Sequence, residues 1–176
     1  MLTSRNRATG DPIPVPFTLA IDTRESHPWS FEGLKADADQ QHRPLLIKAE
    51  RRTLQTGDYS IVSLEHELTI ERKSAIDLFS TLAHRRANFK EEHERMMCMV
   101  RAGGYACVII EDDLTRLLKS PPPQSDYPPK SMFRTFIRWS VRYDVPWYFA
   151  GSRSLAEVMA FRLLETWFEY KEGEAL

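Results

Sequence analysis

Two β-rich runs, Tyr59–Leu64 and Leu68–Lys73, separated only by Glu65-His66-Glu67, constrain this chain more than any other feature. Such a pair reads as an antiparallel hairpin. Directly after it the hydrophobic period lengthens from two residues to that of a helix, beginning near Ser74 with Ala75, Ile76, Phe79 and Leu82 on one side. A hairpin that hands over to an amphipathic helix cannot bury its apolar face alone. It needs further strands and helices, and the chain supplies them in alternation.

Upstream, Phe17–Ile21 and Leu45–Ala49 are apolar runs too short for helices and read as strands. Downstream, His84-Arg85-Arg86 interrupts the helical pattern. A second amphipathic run, Asn88–Arg101, carries Phe89, His93, Met96 and Val100 and stops at Gly103-Gly104. Tyr105–Ile110 reads as a buried strand. Lys130–Tyr143 reads as a helix with Phe133, Phe136, Ile137 and Val141 toward the core, Pro146–Ala150 as a short strand and Ser154–Tyr170 as a closing helix. The fold class is therefore α/β, a mixed β-sheet flanked by helices. Pro12, Pro14 and Pro16 mark residues 1–16 as a flexible arm. Residues 17–172 form a single domain, 120–129 a proline-rich loop inside it, and 173–176 a tail.

Length and composition agree with one soluble globular domain: 176 residues, 42% of them hydrophobic. Lys and Arg number 24 against 25 Asp and Glu. That balance excludes a histone-like binder but leaves room for an enzyme that meets a polyanion on one face. Cys98 and Cys107 have no metal-type spacing, and the N-terminus lacks the apolar core of a signal peptide. No apolar stretch is long enough to cross a bilayer. The expected setting is intracellular, in cytoplasm or nucleoid, or in a nucleus, with no membrane partner. The five histidines form no zinc-type cluster, and there is no phosphate-binding glycine loop or nucleophile elbow.

The chemistry concentrates on the hairpin. Glu71 and Lys73 are two apart and share a strand face. With a turn centred between Glu65 and His66, Asp58 faces Lys73 and Ser60 faces Glu71, so Asp58, Glu71 and Lys73 converge. Tyr59, Ile61, Leu68 and Ile70 then line the other face. Metal-assisted phosphodiester cleavage needs hard oxygen ligands around a divalent cation and a cationic group beside the attacking water. This trio offers both.

Together, Asp22-Thr-Arg24-Glu25, Gly57-Asp58-Tyr59 and Glu71-Arg72-Lys73 followed by Asp77 resemble the XPF-type nuclease domain (the ERCC4 domain), whose signature is GD, a variable gap, ERK, three residues and D. The resemblance runs from about Phe17 to Tyr170. It implies a restriction-endonuclease-like fold of the PD-(D/E)XK superfamily and Mg²⁺- or Mn²⁺-dependent cleavage of DNA, leaving 5′-phosphate and 3′-hydroxyl ends, in repair, recombination or phage DNA processing. It further implies that Asp58 and Glu71 are central metal ligands with Asp22 beside them as an auxiliary acidic group, and that Lys73 orients or activates the water. Arg24, Glu25 and Arg72 would support the site or contact phosphate. Relatives usually carry a tandem helix-hairpin-helix module and pair through the nuclease domain. The module does not fit in 176 residues. A homodimer or a partner protein would then supply substrate specificity. The rival reading is a non-catalytic DNA-binding or partner subunit on the same scaffold.

Other residues carry two readings each. Asp77 stands in capping-box spacing with Ser74, so it either caps the helix or joins the site. Arg85 and Arg86 either clamp the scissile strand or are solvated. Lys130, Arg134, Arg138 and Arg142 recur every four residues, as a solvated face or as a DNA-backbone contact. Glu111-Asp112-Asp113 either adds a ligand or caps a helix, and capping is the commoner use. Trp167, Phe168 and Tyr170 fit core packing first and a dimer interface second.

Overall fold

These signals resolve into one six-stranded mixed sheet between two layers of helices, seen in a computed structural model that describes residues 10–37, 42–123 and 125–173. The strands are β1 (Ile13–Asp22), β2 (Leu45–Arg52), β3 (Tyr59–Ile61), β4 (Leu68–Lys73), β5 (Tyr105–Ile110) and β6 (Trp147–Phe149). Helices α1 (Ala75–His84) and α2 (Arg86–Arg101) connect β4 to β5. Helices α3 (Leu114–Lys119) and α4 (Pro129–Tyr143) connect β5 to β6, and α5 (Arg153–Glu172) follows β6. The spatial order is β2-β1-β3-β4-β5-β6. β3 is antiparallel to both β1 and β4, and the other pairs are parallel.

Alternation along the strands divides the core in two. Leu19, Ile21, Tyr59, Ile61, Leu68, Ile70 and Ile109 face α5 through Ala156, Ala160, Phe161 and Leu164. Ala106, Val108 and Ile110 face the opposite layer, where α1 contributes Phe79 and Leu82, α2 Phe89 and Met96, and α4 Met132, Trp139 and Tyr143. Each large apolar side chain buried this way stabilises the fold by roughly 1.5–3 kcal/mol. In the second layer His93 is fully buried among Phe89, Trp139, Tyr143 and Trp147. Its Nδ1 donates to the Phe89 carbonyl at 2.8 Å and its Nε2 accepts from the Trp147 indole at 2.9 Å, so it sits as the neutral tautomer. Burial pushes its pKa down to about 4.

Several expectations shift. β1 begins at Ile13, four residues inside the expected arm. β3 pairs only with Leu19–Ile21, so Pro14 and Pro16 fall where β1 has a single neighbour. The register with β2 also slips between Pro14 and Thr18, so the missing N–H groups interrupt little of the ladder. Residues 1–9 of the arm, Gln124 of the proline-rich loop and residues 174–176 of the tail lie outside the described residues; Gly173 is the left-handed cap of α5. Helix α4 starts at Pro129, a residue suited to the first helical position. It buries Met132, Thr135, Trp139 and Tyr143, whereas Ile137 is exposed and Val141 is 81% exposed. The bulky aromatics fit the pocket around His93, and the slimmer apolar stripe turns outward. Ile76 likewise stands 72% exposed, because α1 buries Leu78, Phe79 and Leu82 instead. Among the described residues no helix is long and apolar enough to cross a membrane.

Candidate active site

The hairpin delivers its charged residues through a register different from the expected one. Tyr59 pairs with Ile70, so the strands are shifted by two residues and Asp58 stands opposite Glu71 rather than Lys73. The cause lies in the loop: β3 ends at Ile61, Ser63 adopts φ 78°, and Leu64 donates back to Ile61. The turn is thus centred one residue earlier. A two-residue shift preserves strand parity, so Asp58, Glu71 and Lys73 still share a face. Gly57 is required before Asp58. Its φ is +71°, and a Cβ there would meet Thr69 Oγ1 at 2.0 Å.

Asp58 and Glu71 face the helix layer formed by α1 and α2. The Arg72 N–H donates to Asp58 Oδ2 at 2.8 Å. Burial, reinforced by the Glu71 carboxyl, pushes Asp58 well above the usual carboxylate range, and the Arg72 N–H and Lys73 only partly offset this. Glu71 is raised as well, by burial first and then by Glu92, against the opposing pull of Lys73. Lys73 bonds Glu71 at 2.6 Å and Asp77 at 3.0 Å, and its ammonium lies 5.0 Å from the centroid of the Phe89 ring. Burial works against its charge, but the Glu71 and Asp77 carboxylates outweigh it and raise its pKa. Lys73 is therefore a fixed positive charge, able to orient a water or screen phosphate charge.

Asp77 is held through both backbone and side chain, and the helix cap itself is Ser74. The Asp77 backbone N–H is capped by Ser74 Oγ at 3.1 Å, while its carboxylate holds Lys73 and, at 2.7 Å, Arg85. Burial opposes its charge, and the two cations overcome that and lower its pKa. Arg85 and Arg24, both exposed, line a cleft of about 470 Å³ together with Ser26, His27, Asp58, Lys73, Ser74 and Asp77, and with Glu25 and Arg72 at its edge.

Three of the expected site residues have partners that the sequence did not disclose. Asp22, expected as an auxiliary ligand, has both oxygens occupied: Oδ1 accepts the Arg24 backbone and Nε, and Oδ2 accepts Arg24 Nη2 and the Leu54 N–H, all at 2.7–2.9 Å. Burial opposes its charge, but these bonds win and lower its pKa. It is the anchor of Arg24. Arg86 turns inward: it donates to Tyr127 and Thr135 and stacks 4.9 Å from the Trp139 ring, which ties the proline-rich loop to α4. Arg72 points to the opposite face of the sheet. There it bonds Glu111 through two nitrogens and Glu25 through a third, beside Trp29, whose indole also donates to Glu111. Glu111 thus belongs to that clamp, and Asp113 caps α3 through the Arg116 N–H. Lys130, Arg134, Arg138 and Arg142 all lie on the exposed face of α4.

Sequence patterning missed Glu92 on α2. Its Oε1 accepts the Gly57 N–H at 3.2 Å, and its carboxyl faces that of Glu71. The available signal was slight: Glu92 is three residues after Phe89 and beside His93, at the margin of the buried face. Two oxygen donors of the hard type, Asp58 and Glu71, fit a small divalent cation that retains waters. Among the described residues no three His, Cys, Asp or Glu side chains converge as a metal-holding group.

Comparison with known proteins agrees with this architecture. The chain resembles the XPF structure from Aeropyrum pernix with a TM-score of 0.57 at 15% identity, over 85% of this chain and 58% of that one. It also resembles the structure of XPF from Aeropyrum pernix in complex with DNA, with a TM-score of 0.60 at 15% identity, over 87% of this chain and 66% of that one. The fold is thus the restriction-endonuclease-like one, and this chain spans less than two-thirds of either neighbour. No curated protein matches the sequence. The ERCC4 domain model matches residues 21–160, which span the hairpin, both helical layers and every residue of the cleft, and the chain accordingly belongs to the ERCC4 domain family.

Proposed function

We propose that this chain is a divalent-metal-dependent DNA endonuclease. The observation that carries the reading is a pair of carboxylates, half-buried Asp58 and buried Glu71, set beside a charged Lys73, where Asp58 and Lys73 line a cleft flanked by Arg24 and Arg85. Two adjacent carboxylates with raised pKa values form a site short of positive charge, as expected where a cation is to be held. Family membership and a neighbour solved in complex with DNA support the substrate class.

Asp58 and Glu71 would hold Mg²⁺ or Mn²⁺, which when bound neutralises charge on the phosphodiester and makes a water acidic enough to attack. Lys73, held by Asp77, keeps an ammonium fixed beside that water. Arg24, locked by Asp22, and Arg85, locked by Asp77, present guanidinium groups at the rim for phosphates on either side of the scissile bond. Because these cations are pre-positioned, little reorganisation accompanies charge development in the transition state. The products carry 5′-phosphate and 3′-hydroxyl ends. The basic stripe on α4 adds backbone contact, and exposed Ile137 and Val141 beside it suit a second copy or a partner protein.

The test is a cleavage panel with Mg²⁺ or Mn²⁺ on duplex, flap, splayed-arm and four-way DNA. Wild type should cut at least one of these. Glu71→Gln and Asp58→Asn should abolish cutting while folding and some DNA binding persist. Unchanged nicking by either variant sinks the site assignment, and DNA binding without cleavage of any substrate makes the chain a scaffold subunit instead.

A further inference from the structure

Glu92 reaches the candidate centre from α2. By accepting the Gly57 N–H at 3.2 Å it ties that helix to the residue just before Asp58, and its carboxyl faces Glu71. Among the described residues it forms no ion pair. Its helical neighbour Glu94 is paired with Lys90 at 2.7 Å on the surface, and His93 is sealed among aromatic rings. A half-buried carboxylate held against a second one, with no cation of its own, costs free energy unless a shared cation offsets the repulsion.

We propose that Glu92 is a positioning residue for the divalent cation of this site, fixing the Gly57–Asp58 turn and adding one negative charge beside Glu71. The inference rests on Asp58 and Glu71 being the ligands. Direct coordination by Glu92 is not needed. Small divalent cations keep several waters, and those waters require acceptors in the surrounding protein.

Mn²⁺ titration followed by electron paramagnetic resonance, which measures the free aqueous ion, tests this on the whole chain. Glu92→Gln keeps an oxygen for the Gly57 N–H and removes only the charge. Glu92→Ala removes both. Wild type should bind Mn²⁺, Glu71→Gln should not, and Glu94→Gln should match wild type. Glu92→Gln should bind about 10–100-fold more weakly, the range typical of groups that orient metal ligands, while melting no lower than wild type in EDTA. Glu92→Ala should bind more weakly still. Cleavage by Glu92→Gln should need more Mn²⁺ yet reach the wild-type plateau. Equal Mn²⁺ affinity in wild type and Glu92→Gln, with loss in Glu71→Gln, overturns this inference alone. A lowered plateau at an unchanged Mn²⁺ midpoint also overturns it. Absence of Mn²⁺ binding by wild type removes the ligand reading and this one with it.

Discussion

Glu71 and Arg72 are consecutive residues of β4 that serve opposite faces of the sheet, and their surroundings differ in kind. Arg72 is saturated: three of its nitrogens meet Glu25 and Glu111, and Arg153 adds a second cation to Glu111 at 2.9 Å. Glu71 is undersupplied. It shares Lys73 with Asp77 and stands near two further carboxylates, Asp58 and Glu92. A satisfied buried network behaves as structure, whereas a buried surplus of one charge is stored unfavourable energy that a ligand can relieve. The tripeptide Glu71-Arg72-Lys73 therefore joins two devices, a clamp on the α5 side and an undersupplied charged pair on the α1–α2 side.

The sharpest way to break this contrast is to remove one residue from each face. Glu71→Gln should lower cleavage by about three orders of magnitude or more, the effect of losing several kcal/mol of charge stabilisation, yet leave metal-free stability unchanged or higher. Arg72→Met should do the reverse. It strands Glu25 and weakens the hold on Glu111, costing about 3 kcal/mol, and activity should fall only as the folded fraction falls. Urea unfolding in EDTA and cleavage on the same preparations measure both. Full stability with abolished cleavage in Arg72→Met would mean that the two faces are not divided in this way.

A smaller effect appears in the pH dependence of metal-free stability, where two sites pull in opposite directions. His93 has a depressed pKa of about 4, so between about 6.5 and 4 the unfolded chain binds a proton that the folded one refuses. Stability is lost as pH falls through that window, by up to about 3 kcal/mol. Asp58 and Glu71 are raised, so above about pH 4 the folded chain retains protons that the unfolded chain has released. They lose stability as pH rises. His93→Gln should flatten the acid limb and Asp58→Asn the upper one, read as unfolding midpoints across pH 4–8. If Asp58→Asn leaves the upper limb unchanged, the two carboxylates are not in the strained state described.

The same contrast shows which features a sequence can disclose. The bounds of β4 and β5 were legible because each is an unbroken apolar or β-branched run with a clear stop. The convergence of Asp58, Glu71 and Lys73 survived a wrong turn centre because side chains alternate with period two, and the true register differs by two. The partners of Asp22 were hidden for a different reason. Spacing along a strand does not reveal that Arg24, two residues on, folds back to occupy both its oxygens. Arg86 hides likewise, since its partners lie 41 and 49 residues away. Glu92 meets Gly57 across 35 residues, beyond any local pattern. On α4 two apolar stripes were available, and only the volume of Trp139 and Tyr143 against His93 decided between them.

The smallest effect concerns charge far from the cleft. Lys130, Arg134 and Arg138 are exposed and form no ion pairs among the described residues, unlike Arg24 and Arg85, which are held by carboxylates at the rim. A guanidinium locked in place can position one phosphate, while a free one mainly adds to the field that gathers the polyanion. Reversing Arg134 and Arg138 to Glu should therefore weaken DNA binding severalfold at physiological salt. Each lost phosphate contact also removes about one unit from the slope of log affinity against log salt, so the slope should flatten by up to about two. Cleavage at saturating DNA should hardly change, because neither side chain lines the cleft. Fluorescence anisotropy across a salt series reads the first two quantities, and single-turnover cleavage reads the third. An unchanged slope would reduce the stripe to a solvated helix face and leave the rim arginines as the phosphate contacts.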